Sequence, residues 1–138
     1  MEIIDRLSAA TLQSNRITNS RLKLLSAMAQ SSEDHISRLG MGLSMADGPV
    51  HFDWTPTALP SENDQTDGDA SKHIRGRTLF KEELPIWMAL ALRHQNPVDY
   101  GEWRNLLRAH WERGVEILAQ IAAKEDDWIR VLNEAIPE

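Results

Sequence analysis

Apolar residues recur at helical spacing along most of the chain. Leu22, Leu25, Met28 and Ala29 form one run and Ile36, Leu39, Leu43 and Ala46 a second, so residues 19–47 read as two helices with a tight joint. Thr18 or Asn19 is the expected N-cap of the first helix. Ser31 and Asp34 in the joint have the form of a capping box, each side chain taking up a free backbone N–H of the new helix. Asp47-Gly48-Pro49 ends the second helix, because Gly permits φ > 0 and Pro cannot continue a helix. Such a pair buries little alone. Its apolar faces need a further layer from the second half of the chain or from another subunit.

The flanking segments supply candidates for that layer. Ile3, Ile4, Leu7 and Leu12 suit a short helix, and part of Met1 to Gln13 suits a strand equally well. Residues 48–73 are dominated by Gly, Pro, Ser, Asp and Asn, and read as a long loop of the kind that is mobile or functional. Phe52 and Trp54 alternate with polar neighbours and are expected to pin the start of that loop to the core. Lys81-Glu82-Glu83-Leu84-Pro85 looks like a helix entry, with acids near the positive end of the dipole and Pro in the first turn. That helix is expected to run to about His94, with Ile86, Ala89 and Leu90 inward and Leu92 at their margin, before Asn96-Pro97 stops it. Asp99 and Glu102 form a second capping box. Trp103, Leu106, Leu107, His110, Trp111, Gly114, Leu118 and Ile121 follow as a wide apolar face. Gly114 inside that helix costs roughly 1 kcal/mol against Ala, which points to a close helix–helix approach. Asp126 to Leu132 either continues this helix or forms a separate one. The expected fold is mainly α: a single compact domain over residues 1–138, with four to five helices, a helix-turn-helix-like pair, a long acidic loop and room for one short strand.

Composition narrows the class. The 138 residues suffice for one domain with a real core, and 41% are hydrophobic. Cysteine is absent, which excludes disulfides, zinc-thiolate sites, iron–sulfur clusters and thiol catalysis. No apolar run approaches the ~20 residues of a membrane span, and no signal peptide is visible, so a cytoplasmic protein without a membrane partner is the expectation. The net charge of −6 is unevenly spread. Residues 47–71 hold six acids and no Lys or Arg, and the remainder is neutral. This is not the strongly basic balance of a nucleic-acid protein, although a local patch is compatible with it.

Catalytic signatures are missing. There is no P-loop, dinucleotide fingerprint or Gly-x-Ser-x-Gly elbow. His35, His51, His73, His94 and His110 are scattered without metal-ligand spacing, and His110, on the apolar face, reads as structural. Asp67 and Asp69 sit in a loop, a poor place for acid/base work that needs fixed geometry. No catalytic residue, metal site or cofactor is expected. Binding remains: Arg75, Arg77 and Lys81 in the most basic short segment, and Arg16, Arg21 and Lys23 on the first long helix, are candidate phosphate contacts.

Three stretches together resemble the DndE family, the small component of bacterial DNA sulfur modification (phosphorothioation). They are Arg21–Leu25 with Leu39–Ala46, then Gly76-Arg77-Thr78-Leu79-Phe80, and His110-Trp111-Glu112-Arg113-Gly114-Val115. They fall in the family's order and span roughly residues 16–122. The resemblance implies a mainly helical homotetramer that binds double-stranded, preferentially nicked, DNA through basic surface residues. It implies partners in the same restriction-modification machinery, a sulfurtransferase-type and an ATPase component, and no sulfur chemistry in this subunit. One departure stands out: family DNA binding is attributed to a lysine-rich surface, whereas lysine occurs here only at Lys23, Lys72, Lys81 and Lys124.

Two other readings stand beside it. A Trp-rich second half and a neutral core suit a protein–protein assembly subunit without direct DNA binding. The opening helix pair suits a small helix-turn-helix transcription regulator, although Glu33 and Asp34 at the start of its second helix would face phosphates.

Overall fold

The computed structural model describes residues 2–57 and 70–124. In chain order these form α1 (Ile3–Ala9), β1 (Thr11–Gln13), α2 (Arg16–Ala29), α3 (Glu33–Asp47), β2 (His73–Arg75), α4 (Gly76–Phe80), α5 (Leu84–Ala91) and α6 (Tyr100–Lys124). A 3-10 turn, Lys81–Glu83, joins α4 to α5. The protein is mainly helical, with one small two-stranded sheet. The expected continuation over Asp126 to Leu132, the loop tip with Asp67 and Asp69, and Trp128 lie outside the described residues. Among the described residues no helix is long and apolar enough to cross a membrane.

The ambiguous N-terminal segment contains both elements that its sequence allows. α1 buries Leu7, and β1 then pairs antiparallel with β2 in the register Thr11↔Arg75, Leu12↔Ile74, Gln13↔His73. The period of two turns Leu12 and Ile74 into the core and leaves the other four side chains outside. A two-stranded ribbon is marginal by itself; this one rests on the helices through its inner pair.

The core is organised by the crossing of α3 and α6. Their backbones touch where Gly40 meets Gly114: a Cβ on Gly114 would stand 1.9 Å from the Gly40 carbonyl oxygen. The close approach that Gly114 foretold is thus met by a second glycine. Around the crossing, Trp111 is fully buried and its Nε1–H donates to Ser37 Oγ at 2.9 Å. α2 lies along α6, and α4 lies against α1, where a Cβ on Gly76 would come within 2.0 Å of the Leu7 carbonyl oxygen.

Several expected details shift. α2 is capped by Asn15, whose side chain accepts from Ile17 N–H at 2.9 Å. Thr18 and Asn19 lie inside the helix and are used in tertiary bonds, to the Glu112 carboxylate and the Ala70 carbonyl. Ser32, not Ser31, caps α3, accepting from His35 N–H at 3.1 Å. The chain leaves α2 through Gln30 in the left-handed region, φ 52, and this extra turn residue moves the cap by one.

The inner stripe of α3 is Ile36, Ser37, Gly40, Met41, Ser44 and Met45, while Leu39 and Leu43 are half-buried and Ala46 is exposed. Small residues let the α6 backbone approach, so they, and not the largest apolar side chains, mark the buried face. Met28 is exposed. On α5, Ile86 and Ala89 face outward, as does Leu92 just past its end, while Leu84 and Ala91 are buried. A short helix that is apolar all round carries no periodic preference for one side, and its packing on α4 decides.

Candidate nucleic-acid interface

The basic segment folds as a strand running directly into a helical turn. Ile74 anchors β2 inward, and Leu79 and Phe80 anchor α4. Gly76 permits the join, because its N–H donates to the Ala10 carbonyl at 2.8 Å and the α1 backbone leaves no room for a side chain. Arg75, Arg77 and Lys81 are exposed on this unit. Among the described residues their side chains make no hydrogen bond or ion pair, so their charges are free for an external anion. Glu82 and Glu83 follow at once and are also exposed, which limits the patch. Nearby Lys72 is engaged by Glu33 at 3.3 Å.

The candidates on α2 divide. Arg16 and Lys23 are exposed and already have interactions of their own. Arg21 does not belong to the surface: with 2% of its side chain accessible, its NH1 lies 3.1 Å from Glu116 Oε1 and its NH2 donates to the Thr57 carbonyl. Thr18, Arg21, Leu22 and Leu25 share the buried side of α2, and the i, i+3, i+4, i+7 spacing that marks this stripe includes Arg21. Its charge holds the fold together and is not presented to a ligand.

Arg21 is one member of a strap that sequence reasoning missed. Arg108 donates to the carbonyls of Phe52 and Trp54, at 2.9 and 3.0 Å, and pairs with Glu112 one turn along α6. Glu112, 1% exposed, also accepts from Asn15 N–H and from Thr18 Oγ at 2.8 Å. Thr57 N–H donates to Glu116 at 2.8 Å. The start of the acidic loop is therefore pinned to α6 by side chain–backbone bonds as well as by the partly buried Phe52 and Trp54. The polar residues of α6 at 108, 112 and 116 recur at i, i+4 spacing, the one sequence signal that pointed to this strap.

A second buried group joins α3 to α6. Ser44 Oγ lies 2.8 Å from His110 Nδ1 and accepts from Arg113 Nε–H at the same distance. The Arg113 guanidinium also donates to the carbonyls of Ser44, Gly48 and Pro49. It thus caps the C-terminal end of α3, where the helix dipole favours a cation. Ser44 and His110 are 0% and 2% exposed, so this Ser–His pair cannot meet a substrate, and a nucleophile needs access. His110 is structural.

Burial, Arg113 and His94 lower the His110 pKa from 6.5 to about 4. The unfolded chain therefore takes up a proton that the folded chain refuses, and stability falls as pH drops from about 6.5 toward 4. Urea unfolding at pH 7 and pH 4.5 should differ by roughly 2–3 kcal/mol through this group. His110→Gln should remove that share of the difference; an unchanged pH dependence would contradict the assignment.

A cleft of about 320 Å³ is lined by Pro49, Val50, His51, Phe52 and Gln95. Gln95 spends its amide on the N–H and carbonyl of Val50, and His51 alone in this lining is titratable. Comparisons with family models, curated proteins and solved structures return no match to this chain.

Proposed function

We propose that this protein is a DndE-like accessory subunit of DNA phosphorothioation that, as a homo-oligomer, binds or stabilises nicked double-stranded DNA and carries no catalysis itself. The observation that supports this reading is the exposed trio Arg75, Arg77 and Lys81, unpartnered among the described residues, on the β2–α4 unit and the turn that follows it. Arg77 lies inside the second of the three family-like stretches, and Arg75 and Lys81 flank it directly. Guanidinium groups with spare donors suit phosphate oxygens. Arg16 and Lys23 are secondary candidates, and Arg21 drops out. The sulfurtransferase-type and ATPase partners follow from the resemblance.

Binding to nicked and intact oligonucleotides at ~50 and ~200 mM salt tests the reading. Each phosphate contact contributes about 0.9 to the slope of log affinity against log salt. Arg75→Ala with Arg77→Ala should therefore reduce the slope by about 2 and leave the melting temperature unchanged. No binding at ~50 mM salt would remove the direct DNA role.

A second reading, assembly without DNA, draws on α5 and the turn after it. Ile86, Leu92 and Val98 are 59%, 51% and 72% exposed, and the indole N–H of Trp87 is buried without a partner among the described residues. Contacts between copies, or with the other modification proteins, would cover these groups. A lone monomer by light scattering at all concentrations would count against it.

A further inference from the structure

The free edge of β1 faces α6 across a small polar cleft of about 170 Å³, lined by Leu12, Gln13, Arg104, Asn105 and Arg108. That volume equals the share of about five or six waters at ~30 Å³ each. The register explains why backbone groups point into it. Ser14 N–H donates to the Lys72 carbonyl and Gly76 N–H to the Ala10 carbonyl, so the even-numbered residues of β1 bond to β2. Thr11 and Gln13 then turn their N–H and C=O groups to the opposite edge. Arg104 confirms the direction, donating from NH2 to the Thr11 carbonyl at 2.7 Å.

The groups around the cleft are unequally committed. Arg108 has given its terminal nitrogens to Phe52, Trp54 and Glu112, and it positions the wall. Arg104 is exposed and uses one of its five N–H donors on Thr11. The side-chain amides of Asn105 and Gln13, both exposed, have no partner among the described residues. The Glu112 carboxylate, which reaches Arg108 in the lining, is balanced by that guanidinium. Spare donors with one uncompensated cation make a site for an oxyanion.

Its position matters as much as its chemistry. Thr11 is the register partner of Arg75, and Arg104 takes the Thr11 carbonyl from the other side. Arg75 and Arg104, 29 positions apart, therefore flank one strand of ~4.8 Å spacing on the same small sheet.

We propose that Arg104, Asn105 and Gln13 form a phosphate-binding subsite that continues the Arg75–Arg77 surface across the sheet, so that a phosphodiester backbone runs over β2 and β1 to α6. This rests on the DNA reading above. The same donors would hold free inorganic phosphate, and the test separates the two sources.

The test uses the full chain, with Arg104→Ala and Asn105→Asp as independent variants. Asn105→Asp puts a negative charge at an exposed position without removing packing, and thermal melting confirms that each variant folds. Both should weaken nicked and intact duplex alike, since phosphate contacts carry no sequence information. For Arg104→Ala the salt slope should fall by about 0.9, making the weakening at ~50 mM salt about 3-fold greater than at ~200 mM. Should wild type and Arg75→Ala behave as the DNA reading requires while both cleft variants bind like wild type, the subsite is overturned and the reading stands. Should wild type bind no DNA, amide shifts of Gln13 and Asn105 on titration with inorganic phosphate, abolished in Arg104→Ala, would keep the cleft as an anion site. Absence of those shifts as well would overturn both.

Discussion

Gly114→Ala should destabilise the protein by roughly 4 kcal/mol, against the direction of helix propensity. In an open helix the change would stabilise by about 1 kcal/mol. Here the new methyl would stand 1.9 Å from the Gly40 carbonyl oxygen and 2.1 Å from its carbon. The obstacle is backbone, which cannot rotate aside, so α3 and α6 must separate and strain the Ser37–Trp111 and Ser44–His110 bonds between them. Overpacking of this kind costs 1–3 kcal/mol or more, and disruption of buried polar bonds adds to it. For a chain of this size the melting temperature should fall by roughly 10–20 °C. Gly40→Ala should be milder, since its nearest approach is 2.8 Å. Gly42, two residues along α3, is the internal control: its Cβ would meet only the Trp87 ring at 3.9 Å. Gly42→Ala should stabilise by up to about 1 kcal/mol. Equal effects at the three positions would contradict the crossing geometry.

Glu112→Ala should cost about as much for a different reason. The carboxylate is 1% exposed and serves the Asn15 N–H, the Thr18 hydroxyl and the Arg108 guanidinium. Truncation removes the counter-charge of a partly buried cation and the acceptor of a fully buried hydroxyl, a loss of roughly 3–5 kcal/mol. Arg108 also holds the Phe52 and Trp54 carbonyls, so the variant should additionally loosen the start of the acidic loop, seen as faster amide exchange or proteolysis there. Breaking the Lys72–Glu33 pair, whose side chains are 25% and 28% accessible, by Glu33→Gln should cost under about 1 kcal/mol. Urea denaturation of the two variants gives the comparison. Similar losses would mean that Glu112 is not the hub of the α2–α6 contact.

Local chemistry was readable where a residue acts within its own segment. Asp99 caps α6 as expected, accepting from Glu102 N–H at 2.8 Å, while the Glu102 carboxylate reaches one residue further back than a capping box requires, accepting from Val98 N–H at 3.1 Å. Gly48 ends α3 at φ 114, and Pro85 sits in the first turn of α5. His110 was recognisable as structural because it interrupts an apolar face. The N-caps slipped by a few residues because several Ser, Thr and Asn side chains compete near each helix start, and tertiary acceptors claimed two of them. Arg21 was misplaced for a related reason: a charged residue defaults to the surface unless a partner 95 positions away is known to wait inside.

The apolar periodicity, the glycine and proline stops and the absence of cysteine by themselves determined a mainly helical chain with α2, α3, α5 and α6 near their observed places. They also marked Gly114 as a contact point and left Arg75, Arg77 and Lys81 as candidate cations. Tertiary structure alone decided that Gly40 meets Gly114, that β1 pairs with β2, that Arg21 and Glu112 are interior, and that Arg104 stands beside Thr11. Helical period and capping are set by neighbours within about four residues, so one sequence window contains them. Buried ion pairs, backbone-to-backbone approach and a cleft built from residues 12–13 and 104–108 depend on which distant segments meet, and that is settled only when the whole core packs.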